Sequence, residues 1–260
     1  IAVTATPMYT AEGEFIGVVG LIEDLTALKT LEAESRRLDR LAVLGEMSAI
    51  VAHELRNPIA GITVGVNYLI KKIAQDTTDY QAGQMILKEV DRVQRIIEDI
   101  LLVARPLDLQ KESHSLEDIV NTVGQEYQAA LREKQIQLEI TLAKQLPEIV
   151  VDRGRVEQVF SNLIENAIHA MPEGGVINIS ACNLPAKGVV AIHISDTGYG
   201  ISISDPRKIF EPFTTTKNRG TGLGLALSRR ILEAHNGSIR IAASGQTGTT
   251  FEIRLPAGVE

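Results

Sequence analysis

A histidine, a carboxylate and an amide lie within two helical turns in the stretch Ala52–Pro58, which reads AHELRNP. If the stretch is helical, residues three and four apart form one stripe that would be buried: Leu44, Ser48, Val51 and Leu55. His53 lies roughly 200° around the helix from the nearest members of that stripe, so it is expected to project off the buried face. Asn57 shares the face of His53, and Glu54 sits beside both. The set is either a reactive imidazole with polar helpers or an ordinary solvated helix face.

Asparagines recur along the predicted helix Arg155–Met171, where Asn162, Asn166 and His169 share a face with Glu165. Amide oxygens are hard ligands, and a nucleotide-bound Mg²⁺ takes few protein ligands and keeps several waters. The face suits such an ion, although two asparagines on a helix are more often simply solvated.

Asp196 follows a predicted strand directly and opens the stretch Asp-Thr-Gly-Tyr-Gly-Ile, with glycines at Gly198 and Gly200. An aspartate at a strand end can accept a hydrogen bond from an exocyclic amine such as that of adenine. Glycines let the backbone approach a ligand closely. The alternative is an ordinary turn.

A second glycine-rich stretch precedes a predicted helix and reads GTGLGL from Gly220 to Leu225. Backbone N–H groups at a helix start form an anion site, and Lys217 just upstream could neutralise phosphate charge. The stretch lacks the Gly-Lys-Ser/Thr ending of a Walker-type phosphate loop, and no strand leads straight into the glycines.

Composition excludes some functions and leaves others open. The 260 residues suggest about two domains, and the net charge of −7 argues against a nucleic-acid-binding surface. The single cysteine, Cys182, allows no internal disulfide and is expected to be a small apolar filler in a strand, which fits a reducing, cytoplasmic setting. We find no signal peptide and no apolar run long enough to cross a membrane, so membrane contact is not visible in this sequence, although it reads as a fragment and an upstream anchor stays open.

Apolar periodicity predicts the elements that position these residues. Residues 1–26 are expected to form a β-hairpin, and a long helix should run to a turn at Gln75–Tyr80, interrupted only near Pro58. A second helix should end at Pro106, and the stripes of the two helices need a partner, so two copies would form a four-helix bundle. Beyond residue 107, helices and strands alternate as one sheet covered on one side by helices, which makes the chain α+β overall.

Taken in order, NLIENA, DTGYGI, IFEPFTTTK and GTGLGLAL downstream of HELRNP closely resemble the boxes of sensor histidine kinases of two-component systems. The resemblance covers about residues 30–256. Residues 1–26 are also similar to the last two strands of a PAS sensor domain. The domains implied are a PAS-like remnant at 1–26, a signalling coiled coil at 27–44, a dimerisation and phosphotransfer hairpin at 45–106, and a catalytic ATP-binding domain at 107–260.

Roles follow from the resemblance at matching positions. His53 would be the phosphoacceptor, Glu54 its general base, and Asn57 the residue that orients a water when the partner is dephosphorylated. The cofactors implied are ATP and Mg²⁺. The remaining site residues would be Asn166 on Mg²⁺ with Asn162 beside it, His169 on a phosphate, Asp196 on adenine with Gly198 and Gly200, and Lys217, Gly220, Thr221, Gly222, Leu223 and Gly224 in the phosphate lid.

One position departs from the family pattern, since Thr214 stands where relatives commonly carry a second phenylalanine, and altered lid packing is expected. The leading interpretation is an ATP-dependent protein-histidine kinase, a homodimer that passes its phosphoryl group to an aspartate of a response regulator. Two alternatives share the nucleotide boxes: a gyrase-like ATPase or serine kinase, and a dimeric scaffold that binds nucleotide without turnover.

Overall fold

A computed structural model describes residues 2–25, 55–75, 77–104, 107–201, 208–215 and 221–258. His53, Glu54, Lys217 and Gly220 lie outside these ranges, as does the predicted coiled coil at 27–44.

The N-terminal hairpin is confirmed. Strands β1 (Ala2–Tyr9) and β2 (Phe15–Glu23) pair antiparallel, and Gly13, with φ of 87°, makes the turn that the sequence predicted. Within the described part of the chain, the apolar side chains of these strands stay exposed: Met8, Tyr9, Phe15, Ile16, Val18, Val19 and Leu21. Two strands alone are marginally stable, so this hairpin fits a larger sheet, and its PAS-like origin stays a prediction.

Two helices form the next unit, α1 (residues 55–70) and α2 (Thr78–Ala104). They run antiparallel, because Ile59 near the start of α1 packs with Val90 and Ile97 of α2, while Gly83 near the start of α2 lies against Ile70. The heptad-spaced residues facing away from this seam remain exposed in the single chain: Leu55, Ile62, Leu69, Ile86 and Val93.

The predicted turn at Gln75–Tyr80 was wrong by several residues. Helix α1 ends at residue 70, so Ile73 is not helical, and α2 already begins at Thr78. The reason is local, since the Thr77 hydroxyl accepts a hydrogen bond from the Tyr80 amide at 3.2 Å and caps α2.

A five-stranded sheet forms the centre of the C-terminal domain. Its strands are β4 (Ile136–Leu142), β6 (Gly175–Leu184), β7 (Val189–Asp196), β8 (Ser238–Gly245) and β9 (Gly248–Pro256), in the order β4-β6-β7-β9-β8. Only β4 and β6 are parallel, so the sheet is mixed. Strands β3 (Glu112–His114) and β5 (Ile149–Val151) make a small separate pair.

Helices cover one face of this sheet: α3 (Leu116–Glu126), α4 (Gln128–Glu133), α5 (Arg153–Ala170) and α6 (Gly224–Ala234). Phe160 and Leu163 of α5 and Leu227 of α6 are fully buried with Ile179 and Ile192 of the sheet. The expectation of an α+β sheet with helices on one side is confirmed.

The opposite face of the sheet is polar. Glu252 on β9 accepts hydrogen bonds from Arg240 and, at 2.5 Å, from Arg254, and these bonds, that to Arg240 foremost, lower the pKa of its carboxyl. Cys182 lies on β6 but is exposed, so the expectation of a buried apolar filler was wrong.

The sequence pattern predicts one helix over residues 116–133, and the structure has two. The break falls at Tyr127, whose hydroxyl donates to Glu165 Oε1 of α5 at 2.8 Å. Burial and this bond to Glu165 raise the pKa of the tyrosine. A tertiary contact to α5 thus lies at the junction between α3 and α4.

Candidate functional site

Helix α5 carries the asparagines and is fixed at its start by Asp152, whose side chain accepts from the Arg155 amide at 3.1 Å. Asn162 lies mid-helix and faces α6, where its Nδ2 donates to the Gly224 carbonyl at 3.2 Å and to Ser228 Oγ at 3.3 Å. Glu165 turns toward Tyr127 instead, so the polar residues of α5 do not all share one face.

Asn166 and His169 continue the polar flank toward the end of α5. Asn166 is half-buried, and His169 is exposed. The Nδ1–H of His169 donates to the carbonyl of Glu165 at 2.6 Å, which fixes the ring against its own helix. Asn166 lies one helical turn from Asn162 on α5.

Asp196 ends β7 with its carboxylate anchored by backbone. Its Oδ1 accepts from the amide of Gly198 at 2.9 Å and from that of Thr249 at 3.2 Å. The Tyr199 amide then donates to the Ala170 carbonyl at 3.2 Å, which attaches this loop to the last turn of α5. Asp196, which the sequence predicts to accept a hydrogen bond from the adenine amine, is therefore a rigidly held carboxylate near one end of α5.

The glycines after Asp196 are required by protein packing before any ligand is considered. A Cβ on Gly198 would lie 2.6 Å from Ala170 O, and one on Gly200, whose φ is 71°, would lie 1.9 Å from Gly245 O. The sequence assigned these glycines to close approach of a base. The structure gives them an additional reason, which is close approach of neighbouring backbone.

The second glycine-rich stretch ends on α6, as predicted. Gly222 has φ of 67°, its carbonyl accepts from the Phe213 amide at 3.0 Å, and the Leu223 amide donates to Thr221 Oγ1 at 3.3 Å. Helix α6 begins at Gly224, so its first N–H groups, which lack intrahelical acceptors, lie next to Asn162. This is an anion-binding arrangement built on a helix N-terminus.

The two glycine-rich segments contact α5 at different heights. The Asp196 loop touches Ala170, and the α6 start touches Asn162, eight residues earlier and therefore roughly 12 Å along the helix axis. A ligand lying along α5 would have a hydrogen-bond acceptor for a base at one end and N–H donors for phosphate at the other. Asn166 lies between the two ends.

Sequence reasoning missed three residues of this site. Thr249 is buried beside Asp196, Ser228 is buried beside Asn162, and Tyr127 holds Glu165. The glycine that precedes Thr249 at the β8–β9 turn was the only signal for the first. The other two contacts link residues far apart in the chain.

The helical hairpin reaches the same domain through the end of α2, where Leu102 packs against its core. Asp99, one turn earlier, is half-buried, and desolvation followed by the nearby carboxylates Glu98 and Glu165 raises its pKa to about 6, against a lowering effect of Arg95. Asn57 is exposed on α1 beside Arg56, which lines a cavity of about 230 Å³ with Gln94, Ile97 and Glu98.

Two protein families match separate parts of the chain. Residues 43–108 match the His Kinase A (phospho-acceptor) domain, and residues 151–259 match the histidine kinase-, DNA gyrase B-, and HSP90-like ATPase. The catalytic domain of histidine kinase ThkA is 30% identical, with a TM-score of 0.52, and the match covers 96% of that domain and 57% of this chain. The chain belongs to the sensor histidine kinases. A gyrase-like ATPase does not require a phospho-acceptor domain, so the match at residues 43–108 argues against the gyrase-like alternative.

Longer relatives share this arrangement. The signal transduction histidine-protein kinase AtoS of Escherichia coli K12 is 37% identical over 98% of this histidine kinase chain, which spans 42% of AtoS. ThkA in complex with the response regulator protein TrrA matches 98% of the chain and 75% of that structure, at 29% identity and a TM-score of 0.62. Full-length ShkA in complex with AMPPNP matches 83% of the chain and 46% of that structure, at 25% identity and a TM-score of 0.73.

The ATP-binding domain predicted from the sequence is therefore confirmed at the level of the family. As for membrane crossing, no helix within the described ranges has both the length and the hydropathy that a bilayer span needs.

Proposed function

We propose that this histidine kinase binds Mg-ATP in the C-terminal domain and transfers the γ-phosphoryl group to His53, from which an aspartate of a response regulator receives it. The observation that carries the proposal is the presence, on one chain, of a phospho-acceptor domain at 43–108 and an ATPase-type domain at 151–259 whose glycine turn, Asn162 helix and Asp196 loop line one site.

The nucleotide would lie along α5. Asp196 accepts the adenine amine, and its two backbone hydrogen bonds keep the carboxylate oriented for that role. The N–H groups of Gly222 and Gly224 bind phosphate at the start of α6. Thr221, Leu223, Lys217, Gly220 and His169 complete the phosphate side.

Asn166 is the protein ligand we assign to Mg²⁺, because an amide oxygen suits a hard cation that keeps most of its waters and its phosphate ligands. The bound ion supplies charge neutralisation for the transferred phosphoryl group. Asn162 stands beside it but is engaged with α6, so we assign it to positioning and not to the metal.

Phosphoryl transfer needs a neutral imidazole at His53, and an ordinary histidine is mostly neutral near pH 7. The bond from phosphorus to the ADP oxygen breaks, a bond from phosphorus to the ring nitrogen forms, and Glu54 takes the proton from the other ring nitrogen. Catalysis then rests on positioning and charge neutralisation. When the kinase instead dephosphorylates its partner, water attacks the partner's phosphoryl group, and Asn57 would orient that water.

The functional unit is proposed to be a homodimer. The exposed heptad positions of α1 and α2 form apolar stripes on one hairpin, and two hairpins would bury them in a four-helix bundle. The partner of the phosphorylated protein is proposed to be a response regulator, as in the ThkA complex with TrrA. The PAS-like hairpin and residues 27–44 would carry the input signal.

Incubation with γ-labelled ATP tests this function. The wild-type chain is expected to retain label that acid removes and alkali does not, and His53→Gln is expected to retain none. His114→Gln serves as the matched control, because His114 lies on β3 outside the proposed site. Label retained by His53→Gln would contradict the assignment of His53. ATP binding without any labelling of the wild type would favour the scaffold alternative.

A further inference from the structure

A fully buried hydroxyl stands behind the phosphate end of the site. Ser228 on α6 is 0% exposed, and its Oγ donates to the Gly224 carbonyl at 2.9 Å. The same oxygen accepts from Asn162 Nδ2 at 3.3 Å. The hydroxyl therefore connects α5, the first turn of α6 and the end of the glycine-rich stretch.

These contacts decide which way the Asn162 amide points. The Gly224 carbonyl can only accept, and the Ser228 hydroxyl uses its hydrogen on that carbonyl, so both require a donor from Asn162. The NH₂ group must face α6, and Oδ1 must take the other side of the amide. A Cβ on Gly224 would lie 3.3 Å from that Oδ1, so the helix start and the amide are closely fitted.

These hydrogen bonds fix the position of the glycine turn along the axis of α5. Gly224 is the first residue of α6, and its carbonyl accepts hydrogen bonds from Asn162 Nδ2 and from Ser228 Oγ. The peptide groups around it cannot rotate without breaking these bonds in a partly buried site, where an unsatisfied donor is costly. The N–H groups proposed to bind phosphate are thereby held one helical turn from Asn166.

We propose that Ser228 is a positioning residue for nucleotide phosphates: its hydroxyl orients Asn162, and the pair holds the Gly222–Gly224 turn in the phosphate-binding position. This inference rests on the proposed function of the domain. Ser228 does not touch the nucleotide in this proposal. It acts through Asn162 and the Gly224 carbonyl, at the phosphate end only, since the Asp196 end is held by a separate set of bonds.

The test compares binding of ATP with binding of adenosine, which has no phosphate. Ser228→Ala removes only the hydroxyl, and we expect it to weaken ATP binding by about 5- to 10-fold, the effect of one buried hydrogen bond. Adenosine binding should change by less than about 2-fold. Both affinities are measured by isothermal titration of the full chain, with Mg²⁺ present, and thermal unfolding is followed in parallel.

Thr122→Val is the matched control. Thr122 Oγ1 also donates to a carbonyl four residues back, that of Asp118 at 2.8 Å, and accepts from a side chain of α5, Arg153 Nη2 at 2.9 Å. It makes the same two kinds of contact on α3, away from the glycine turn, so ATP affinity should stay at the wild-type value.

Ser228→Cys keeps the shape of the side chain, with a somewhat larger terminal atom, and replaces the hydroxyl with a weak hydrogen-bonding group. We expect ATP affinity between those of the wild type and of Ser228→Ala, which makes the test independent of whether the alanine variant folds well. Equal ATP affinity in the wild type and both variants would overturn the inference, as would an equal fold-loss for ATP and adenosine. Absence of ATP binding by the wild type would instead contradict the proposed function, and the inference would fall with it.

Discussion

Asp196 illustrates how one side chain serves both the fold and the site. Two backbone amides, 51 residues apart in the chain at Gly198 and Thr249, donate to the same carboxylate oxygen. The carboxylate thus joins the loop after β7 to the start of β9. The two amides need only an oxygen that accepts hydrogen bonds. The proposed contact with the adenine amine needs a second oxygen that also accepts, which a carboxylate provides.

Substitution can separate these two demands. Asp196→Asn keeps an oxygen for both amides but replaces the other oxygen with a donor, so we expect the melting temperature to stay near the wild-type value and ATP affinity to fall at least tenfold. Asp196→Ala leaves the amides without their acceptor and should also cost about 1–3 kcal/mol of stability. Titration calorimetry and thermal unfolding check both. An asparagine variant that binds ATP as the wild type does would remove Asp196 from the site.

His235 offers a pH-dependent test at the same scale. The ring is buried, its Nδ1–H donates to the Ile231 carbonyl at 2.7 Å, and its Nε2 accepts from the Asp152 amide at 2.9 Å. Burial lowers the pKa of this histidine, and the charge of Lys111 adds to the effect. The neutral form is the one that fits, since a protonated ring cannot accept from an amide.

The sign of the pH effect follows from the lowered pKa. The stabilisation by His235 is present above the unfolded pKa of about 6.5 and is lost as pH falls through the lower folded value. His235→Leu should lose about 1–3 kcal/mol near pH 7.5, where Asp152 N–H lacks its acceptor, and should lose less further stability on acidification than the wild type. Urea midpoints between pH 5 and pH 7.5 measure this. Parallel pH profiles for the two proteins would show that His235 is not the titrating group.

At the level of elements, periodicity predicted well what local sequence controls. Apolar periodicity predicts strands at Ile136–Leu142 and Val189–Asp196, which are the bounds of β4 and β7. The predicted helix Arg155–Met171 differs from α5 by two residues at its start and one at its end. The pair Asn236-Gly237 predicts the end of a helix, and Asn236, with φ of 56°, follows the last turn of α6. One miss coincides with a tertiary contact and the other with a local one. The break in the helical pattern lies at Tyr127, which binds Glu165 of α5, and Thr77 caps α2 inside a stretch predicted as turn.

The candidate site shows the same difference between features set by local sequence and features set by tertiary contacts. Motifs revealed Asn162, Asn166 and Asp196, because residue type and spacing are visible in sequence. Ser228 and Thr249 were missed, because only folding brings them 66 and 53 residues across the chain to their partners. The direction of the Asn162 amide could not be predicted either, since it depends on the acceptors that α6 presents.

Helix α2 meets the ATP-binding domain near Asp99, where burial first and neighbouring carboxylates second oppose ionisation of its carboxyl group. The raised pKa of about 6 means that the folded state favours the protonated form, so stability from this group is present below about pH 4 and is lost as pH rises through 6. A two-unit shift corresponds to roughly 3 kcal/mol in full, but the group is only half-buried and water screens the charges.

We therefore expect Asp99→Asn to stabilise the chain by about 1 kcal/mol at pH 7.5 and to have no effect at pH 4, measured as urea midpoints. Asp91→Asn on the exposed face of the same helix is the control and should be neutral at both pH values. A gain that persists at pH 4 would contradict the electrostatic explanation.

For the molecule as a whole, the exposed apolar stripes of the hairpin demand a partner. Leu55, Ile62 and Leu69 recur every seven residues on α1 and remain roughly half exposed, whereas Ile59 and Ile70 are buried against α2. An exposed heptad stripe of this kind is the pattern of an interhelical seam. The second hairpin of a homodimer would cover it and present two copies of His53.

A charge placed on this stripe should separate the protomers. Ile62→Glu is expected to shift the chain from dimer to monomer, because an unpaired carboxylate would be buried between helices. Val64→Glu is the control, since Val64 is 70% exposed on the other side of α1 and should leave the dimer intact. Light scattering after size exclusion reports the mass. A dimeric Ile62→Glu variant, or a monomeric wild type, would contradict the four-helix bundle.

The proposed function requires that one chain both binds ATP and carries the phosphoryl group on His53. The most direct measurement is to incubate the wild-type protein with Mg-ATP, digest it with trypsin at neutral to alkaline pH, and locate the phosphate by mass spectrometry. Cleavage after Arg40 and Arg56 yields the peptide 41–56, in which His53 is the single histidine. We predict an acid-labile phosphate on that peptide. An acid-stable phosphate, or one carried by any other peptide, would contradict the account.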